Sequence, residues 1–347
     1  MFKCINLIQY VTVYLLIAQL METSNKHTKT ETIDKTAFIS QENPSIHKIN
    51  DATPHKKQSL KCTLTISAHK DWVNKIILLK NGLFITCSED RLLKLWNIAE
   101  DPKKPSVVFQ GHTDGVLSAI QISNGKIVSC SRDKTLRVWN IGGGKQTTCI
   151  TSKQPYYCLC QIKDNVISVA GGDKDIRIYD LSNDEETVEI DKYEGHEMVV
   201  RDLELVNENT LASSSEDKCI CIWDLNNKKL ITKLRGHNEG VKCIKYLGNN
   251  KLASGGYDNL IMIWNLETDK CEKKLTGHTG HVFCLDVLID GRLISGANDW
   301  SMIVWDVDTG KKEFEIEEHN ECVNSIAVLS DGRVVSASSD QKVKVWE

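Results

Sequence analysis

A four-residue pattern recurs six times along this chain of 347 residues. In each copy a histidine is followed by a serine or threonine 17 residues later, an aspartate 4 residues after that, and a tryptophan 6 residues further on. A repeat with a period of about 20 to 50 residues is typical of repeat architectures and constrains the fold more than any other feature. The copies are His69, Thr86, Asp90, Trp96; His112, Ser129, Asp133, Trp139; His196, Ser213, Asp217, Trp223; His237, Ser254, Asp258, Trp264; His278, Ser295, Asp299, Trp305; and His319, Ser336, Asp340, Trp346.

An irregular seventh unit is predicted in the gap between two of these histidines. His112 and His196 are 84 residues apart, which is about two periods. In the gap, Asp173 and Tyr179 occupy the aspartate and tryptophan positions, whereas Ser152 replaces the histidine and Val169 replaces the hydroxyl. The chain therefore contains seven units, of which the third is degenerate.

Each unit reads as a set of short strands. Alternating or apolar runs of about four to eight residues, separated by Gly, Asn, Asp and Lys, are typical of β-strands and turns. In the second unit the runs cover residues 116–122, 126–131, 136–140 and 147–151. We expect four strands in each unit.

The dipeptides at the ends of the units resemble those of the WD-repeat (WD40, G-beta-like) family. Gly-His opens units two, four, five and six, and Trp-Asp closes the third strand of units four and six. The resemblance covers residues 58–347 and implies an all-β, seven-bladed β-propeller with four-stranded antiparallel blades. It also implies that the histidine, hydroxyl, aspartate and tryptophan of each unit form a structural hydrogen-bonded tetrad.

The last unit lacks a fourth strand of its own, because the sequence ends at Glu347, directly after Trp346. Residues 59–66, ahead of the first histidine, alternate apolar and polar side chains as a strand with one buried face does. The unpaired backbone groups of a free sheet edge can pair with a strand of another chain. We therefore predict that this N-terminal strand joins the last blade and closes the ring.

Catalytic and metal-binding interpretations of the same residues are disfavoured. Serine, histidine and aspartate are the ingredients of nucleophilic catalysis, but an active site is not copied into every structural unit. No Cys-x-x-Cys pair occurs among the 13 cysteines, most of which read as small core residues. The glycines at 142–144 are not followed by a helix, unlike a phosphate-binding loop. We expect no catalytic residue, metal site or cofactor.

Residues 1–57 differ from the rest in composition. Residues 1–21 form an apolar leader, for which three interpretations stay open: a secretory signal or anchor, an amphipathic element, or a start codon assigned upstream of the true one at Met21. Residues 22–57 are expected to be a disordered polar tail. The chain has no Asn-x-Ser/Thr sequon, and we expect a cytoplasmic protein, with a membrane-anchored or secretory protein as the alternative.

The net charge and the motifs of the chain favour a binding function over a catalytic one. The net charge is −4, so no strong basic field exists for nucleic acid, which is an unlikely partner. We expect a monomeric propeller that serves as a scaffold or adaptor and binds proteins or peptides. A ubiquitin-ligase substrate receptor or a G-protein β-like signalling scaffold is the alternative, although no Trp-Asp-x-Arg box is present. A propeller enzyme is the least favoured reading.

The family resemblance implies that partners bind to the top face of the propeller, where loops follow the histidines and turns surround the aspartates. Aromatic and arginine side chains on a rigid rim are common interface anchors. In the irregular unit, Pro155, Tyr156 and Tyr157 are expected at this rim. The candidate partner-binding residues are Lys70, Trp72, Arg91, Arg132, Lys153, Tyr157, Tyr257, His281 and Trp300.

Overall fold

The computed structural model describes residues 59–183 and 187–347, and this part of the chain forms 28 β-strands. They build seven separate sheets of four antiparallel strands. The all-β, seven-bladed propeller is thus confirmed. No helix in the described residues is long and apolar enough to span a membrane. The leader predicted at residues 1–21 and the tail predicted at residues 22–57 lie outside the described residues.

Within each blade the strands follow one another from the axis outward. The innermost strands are β2 (Val73–Leu78), β6 (Val116–Gln121), β10 (Tyr156–Lys163), β14 (Val200–Asn207), β18 (Val241–Gly248), β22 (Val282–Val287) and β26 (Val323–Val328). The second strands are β3 (Phe84–Ser88), β7 (Ile127–Ser131), β11 (Val166–Gly171), β15 (Thr210–Ser215), β19 (Lys251–Gly256), β23 (Leu293–Ala297) and β27 (Val334–Ser338).

The third strands are β4 (Leu93–Trp96), β8 (Thr135–Asn140), β12 (Ile176–Asp180), β16 (Cys219–Asp224), β20 (Ile261–Asn265), β24 (Met302–Asp306) and β28 (Lys342–Trp346). The outer strands are β5 (Val107–Phe109), β9 (Lys145–Thr151), β13 (Val188–Tyr193), β17 (Lys229–Arg235), β21 (Lys270–Leu275), β25 (Lys311–Ile316) and β1 (Cys62–Ser67). The four runs predicted in the second unit correspond to β6–β9, with ends that differ by two residues at most.

The N-terminal strand β1 closes the ring by pairing with β28 of the last blade. The pairing is antiparallel and aligns Leu64 with Val345 and Ile66 with Val343. Beyond β1, the backbone groups of Lys61 and Glu347 exchange two further hydrogen bonds of 2.8 and 3.0 Å. The structure is consistent with the predicted closure, because the last blade gains its fourth strand from the other end of the propeller.

The core lies between blades rather than inside them. Seven apolar clusters each combine residues of two neighbouring blades. The cluster between the last and first blades, for example, joins Ile66, Phe84, Val335 and Val345. Second strands such as β3 are buried at every residue. Because both faces of a blade are covered, its strands read as continuous apolar runs instead of strict alternation.

Side chains of one blade also cap the innermost strand of the next. The Asp202 carboxylate accepts the Ile244 backbone N–H at 3.0 Å, and the Asp286 carboxylate accepts the Val328 N–H at 2.9 Å. The Ser325 hydroxyl accepts the Ile76 N–H at 3.1 Å and thereby links the last blade to the first. Backbone N–H groups of the innermost strands thus find partners in the neighbouring blade, as buried backbone N–H groups must.

In the six regular blades the structure brings the four repeated side chains together. The histidine Nδ1 lies 2.8 to 2.9 Å from an aspartate oxygen, and Nε2 lies 2.7 Å from the serine or threonine oxygen. The tryptophan Nε1–H donates to that same oxygen at 2.7 to 2.9 Å. Each buried polar group is therefore satisfied.

The tryptophan also explains the glycine of the Gly-His dipeptide. A Cβ added to Gly195 would lie 2.7 Å from the Trp223 ring, and the same holds at 2.8 Å for Gly277 and Trp305. Because a Cβ never approaches a ring carbon that closely, the indole packs against a residue without a side chain.

Protonation follows from the geometry of the tetrad. Burial lowers the pKa of His69 and of His112, in spite of the aspartate beside each ring. A neutral ring donates through Nδ1 to the carboxylate and accepts at Nε2 from the hydroxyl. Burial would raise the pKa of the aspartates, but hydrogen bonds from the histidine and from backbone N–H groups outweigh it and hold the pKa of Asp90, Asp217 and Asp340 at about 2.

The third blade replaces the tetrad with a different buried network. Tyr156 is only 2% exposed, and its hydroxyl lies 3.2 Å from that of Tyr179, which donates to Glu189 at 3.2 Å. Arg177 pairs with Asp173 at 2.7 Å and with Glu189 at 2.9 Å. The prediction that Tyr156 lies at the rim is wrong, because the side chain is buried in the apolar cluster between the second and third blades, at the position where regular blades carry a buried valine such as Val116.

Ring closure generates the first prediction. Deletion of residues 1–67 removes β1, leaves the edge of β28 unpaired and takes Ile66 out of its cluster, whereas deletion of residues 1–57 keeps all of them. We expect the longer deletion to lower the free energy of unfolding by about 3 kcal/mol or more relative to the shorter one. Equal urea midpoints for the two variants would contradict closure by β1.

The tetrad generates a second prediction, with a control on the next residue. Ser213 and Ser214 lie side by side on β15 and are both fully buried. The Ser213 hydroxyl bonds to His196 and Trp223, whereas the Ser214 hydroxyl has no partner. Ser213→Ala leaves two buried nitrogens unpaired and should cost about 1 to 3 kcal/mol, and Ser214→Ala should cost nothing. Urea unfolding measures both; similar losses would refute the role of the hydroxyl.

The low aspartate pKa values predict sensitivity to acid. In the unfolded chain these carboxyls have a pKa of about 3.9, so below about pH 4 the unfolded state binds more protons than the folded state and stability falls towards pH 2. The pKa values of His69 and His112 are also lowered in the folded state, so the unfolded state binds more protons below about pH 6.5 and stability begins to fall there. We expect urea midpoints to fall from pH 7 to pH 5 and again to pH 3. Asp90→Asn should lose less stability than wild type between pH 5 and pH 3, and a urea midpoint that does not change with pH would contradict this account.

Candidate functional site

Two kinds of segment converge on one face of the propeller, which we call the tetrad face. These are the loops that carry the tetrad histidines and the turns that carry the tetrad aspartates. The aspartate joins them, because it also accepts the backbone N–H of the residue after the histidine, for example Thr113 to Asp133 at 3.0 Å and Asn238 to Asp258 at 2.9 Å. The tetrads thus hold the loops of this face in place.

The residues on the two sides of each aspartate have different surroundings. Those that follow it are held in the left-handed region, with a φ of 73° at Arg91 and 71° at Trp300, and the other oxygen of the aspartate accepts the next N–H of the turn. Those that precede it, such as Arg132 and Tyr257, turn towards the propeller axis. The sequence pattern by itself does not distinguish the two sides, and residues of both were predicted to bind a partner.

A cavity of about 400 Å³ opens at the axis of this face, and we call it the axial cavity. Its walls come from all seven blades and mix aromatic, cationic and acidic side chains. The lining residues are Trp72, Asn74, Glu89, Leu117, Arg132, Tyr157, Arg201, Lys242, Tyr257, His281, Phe283, Asn298, Glu321, Cys322, Asn324 and Ser339. A concave site of this size with a few convergent polar groups is suited to a peptide side chain.

Seven of these residues form a ring with one member in each blade, the seven-residue ring. Each stands five residues after the histidine position, near the start of an innermost strand. The members are Asn74, Leu117, Tyr157, Arg201, Lys242, Phe283 and Asn324. Of these, only Tyr157 is among the residues predicted from the sequence to bind a partner. The fixed spacing was a usable signal, but only the direction of the strands shows that these side chains meet at the axis.

Five of the nine candidate partner-binding residues line the axial cavity: Trp72, Arg132, Tyr157, Tyr257 and His281. The remaining four, Lys70, Arg91, Lys153 and Trp300, are exposed and do not line it. Trp300 is 49% exposed, in the turn that follows Asn298. The structure therefore divides the candidates into an axial group and a peripheral group.

The aromatic members of the cavity lie against one another in the fifth and sixth blades. The Tyr257 and His281 rings are 5.1 Å apart, and the His281 and Phe283 rings are 6.4 Å apart. Trp72, in the first blade, leaves 53% of its surface to solvent. Aromatic side chains with much exposed area on a rigid frame are characteristic of interface anchors.

Most cations of the cavity already have partners. Arg132 donates to Glu89 at 3.0 Å, and Arg201 pairs with Glu216 and stacks over the Tyr157 ring at 4.7 Å. Lys242 differs from both, because it has no hydrogen bond or ion pair with any described residue. Burial, together with the Arg201 charge, lowers the pKa of its ammonium group.

Below the ring a second cavity of about 410 Å³ continues between the innermost strands, and we call it the lower channel. One lysine of this channel pairs with acids of both neighbouring blades, since Lys245 lies 3.1 Å from Asp286 and 3.8 Å from Glu204. The Glu204 carboxylate accordingly raises the pKa of Lys245. The seven-residue ring borders both cavities and separates the open mouth from this interior.

The tetrad side chains themselves are closed to ligands. The histidine side chains are at most 1% exposed, and both ring nitrogens are engaged. Across residues 59–183 and 187–347, no three His, Cys, Asp or Glu side chains are grouped as metal ligands would be. Seven of the 12 cysteines in those ranges are buried and none is in a disulfide.

Comparison with known proteins agrees with this architecture. The family model for the WD domain, G-beta repeat, matches residues 60–97, 103–140, 187–224, 228–265, 269–306 and 310–347, and so leaves out most of the irregular third blade. Each match begins near an outer strand and ends with the third strand of the next blade, the arrangement that lets β1 complete the ring.

Among solved structures, the crystal structure of the WD40 beta propeller domain of Doa1 is similar, with a TM-score of 0.75 and 20% sequence identity over 83% of this chain and 97% of that chain. No curated protein matches the chain in sequence. Six matched repeats, the tetrad geometry and the closed ring of seven blades lead to one conclusion: this chain belongs to the WD-repeat family.

Proposed function

We propose that this protein is a non-catalytic, monomeric scaffold or adaptor that binds a segment of a partner protein in the axial cavity of the tetrad face. The observation that carries the proposal is the cavity itself: each blade contributes to it, and its aromatic cluster of Tyr257, His281 and Phe283 stands at an open mouth. WD40 propellers are typically protein-interaction scaffolds.

The stiffness of the wall supports binding. The ring members stand on innermost strands that are hydrogen-bonded in their own blade and capped by the neighbouring blade. A preformed wall loses little conformational entropy when a partner binds. The tetrad serine or threonine, histidine and aspartate resemble a catalytic triad, but a buried imidazole that is hydrogen-bonded at both nitrogens cannot act on a substrate. This supports a non-catalytic role.

A matched pair of variants tests this function. Tyr257→Ala/His281→Ala removes the aromatic anchors of the cavity, and Trp300→Ala removes an equally large exposed side chain from the periphery of the same face. With the full chain as bait, we expect the double variant to weaken partner binding by about 30-fold or more, as the loss of hot-spot residues does. Trp300→Ala should bind as wild type does.

Quantitative mass spectrometry of affinity-purified partners, followed by titration of the most abundant one, gives the measurement. Urea midpoints within the error of wild type establish that the variants are folded. Equal recovery with the double variant and wild type would reject the axial cavity, and loss of binding in Trp300→Ala alone would move the site to the periphery.

A further inference from the structure

The charged and amide side chains of the seven-residue ring are satisfied at every position but one. Asn74 donates to Glu89 and to the Val116 carbonyl, and Asn324 donates to the Val73 carbonyl and to Ser339. Arg201 is paired with Glu216. Lys242 alone lacks such a contact within the described residues, although it stands where the axial cavity meets the lower channel.

An unpaired ammonium at this depth is costly. Burial removes part of its hydration, and the neighbouring Arg201 repels it, which together lower the pKa of Lys242. Asp202, an acid in the wall of the lower channel, attracts Lys242 but is not within ion-pair distance of it among the described residues, and its two oxygens accept the Leu203 and Ile244 N–H groups. A partly desolvated charge gains more from a counter-ion than an exposed one does.

An apolar surface lies next to this cation. Phe283 neighbours Lys242 in the ring, and Tyr257 and His281 continue the wall towards the mouth. A ligand that fits must therefore offer one anion at the level of the ring and an apolar group directly above it. Two neighbouring side chains of a peptide can meet both requirements.

We propose that the axial cavity binds a side-chain carboxylate, Asp or Glu, from an internal segment of the partner protein, with Lys242 as its counter-ion and an adjacent apolar residue against Phe283 and Tyr257. This inference rests on the proposed function and names the chemistry of its ligand.

The charges of the cavity favour a carboxylate over the other charged ligands. A phosphorylated side chain carries almost two charges and is usually bound by several arginines, but Arg132 and Arg201 are held by Glu89 and Glu216. A cationic side chain of a ligand would be repelled by Lys242, because no uncompensated acid of the seven-residue ring stands beside it. Glu321 is exposed at the mouth and keeps its water.

The test is a selection from a phage-displayed library of random 12-residue segments placed inside a coat protein, so that no segment has a free C-terminus. The full-length protein is the bait. We expect selected segments to share one Asp or Glu next to an apolar residue. Replacing that acid by Asn or Gln in an acetylated and amidated synthetic peptide should weaken binding to wild type by about 10- to 100-fold.

Variants of the cation complete a double-mutant cycle. Lys242→Met should weaken binding of the acidic peptide by the same factor. It should bind the Asn or Gln peptide with the affinity of wild type. Lys242→Arg should keep the preference for the acidic peptide. Lys270→Met, which removes an exposed lysine at the start of the outer strand β21, outside both cavities, should change nothing. A matching phosphoserine peptide should bind less tightly than the Asp or Glu peptide.

The outcomes separate this inference from the function on which it rests. Selected segments without an acidic preference, tighter binding of the phosphoserine peptide, or no coupling between Lys242 and the peptide acid would overturn the carboxylate proposal and leave the cavity as the binding site. Failure to select any segment, or equal binding to Tyr257→Ala/His281→Ala, would overturn both.

Discussion

A buried imidazole held between a carboxylate and a hydroxyl is the contact on which the propeller depends. Each of the six regular blades buries one such ring, and leaving either nitrogen unpaired would cost about as much as a lost hydrogen bond. The hydroxyl also accepts the indole N–H of the third strand. One small group of side chains therefore ties a loop, a turn and two strands together, and it does so at the face where the axial cavity opens.

The third blade shows that the same blade architecture does not require the same four residues in every blade. Tyr156, Tyr179 and Glu189 form one chain of hydrogen bonds, and Arg177 neutralises Asp173. This network is less complete than the tetrads, because the buried Oδ1 of Asp173 has no partner among the described residues. The seven blades can thus share one architecture although one of them has lost the histidine and the hydroxyl.

The two cavities along the propeller axis differ in the charges that line them. In the lower channel Lys245 pairs with carboxylates of both neighbouring blades, so it contributes to cohesion between blades. In the axial cavity, aromatic rings and Lys242, which has no ion pair with any described residue, stand on or beside the same innermost strands. These strands are held within their own blade and by the neighbouring blade, so the positions of the cavity side chains are fixed by the propeller.

The spacing of the repeat predicted seven units and the four recurring positions of each, and the resemblance of these units to WD repeats implied the propeller fold and the tetrads. Residues such as Ser213 and Trp223 were identifiable for that reason. Tyr156 was misplaced at the rim although it stands four residues after the histidine position, where the regular blades carry a buried valine such as Val73 or Val116. The composition of the axial cavity was decided only by the tertiary structure. Lys242, Phe283 and Asn74 belong to three different blades and are far apart in sequence, and no local pattern shows that seven strands aim them at one axis or leave one of them without a partner.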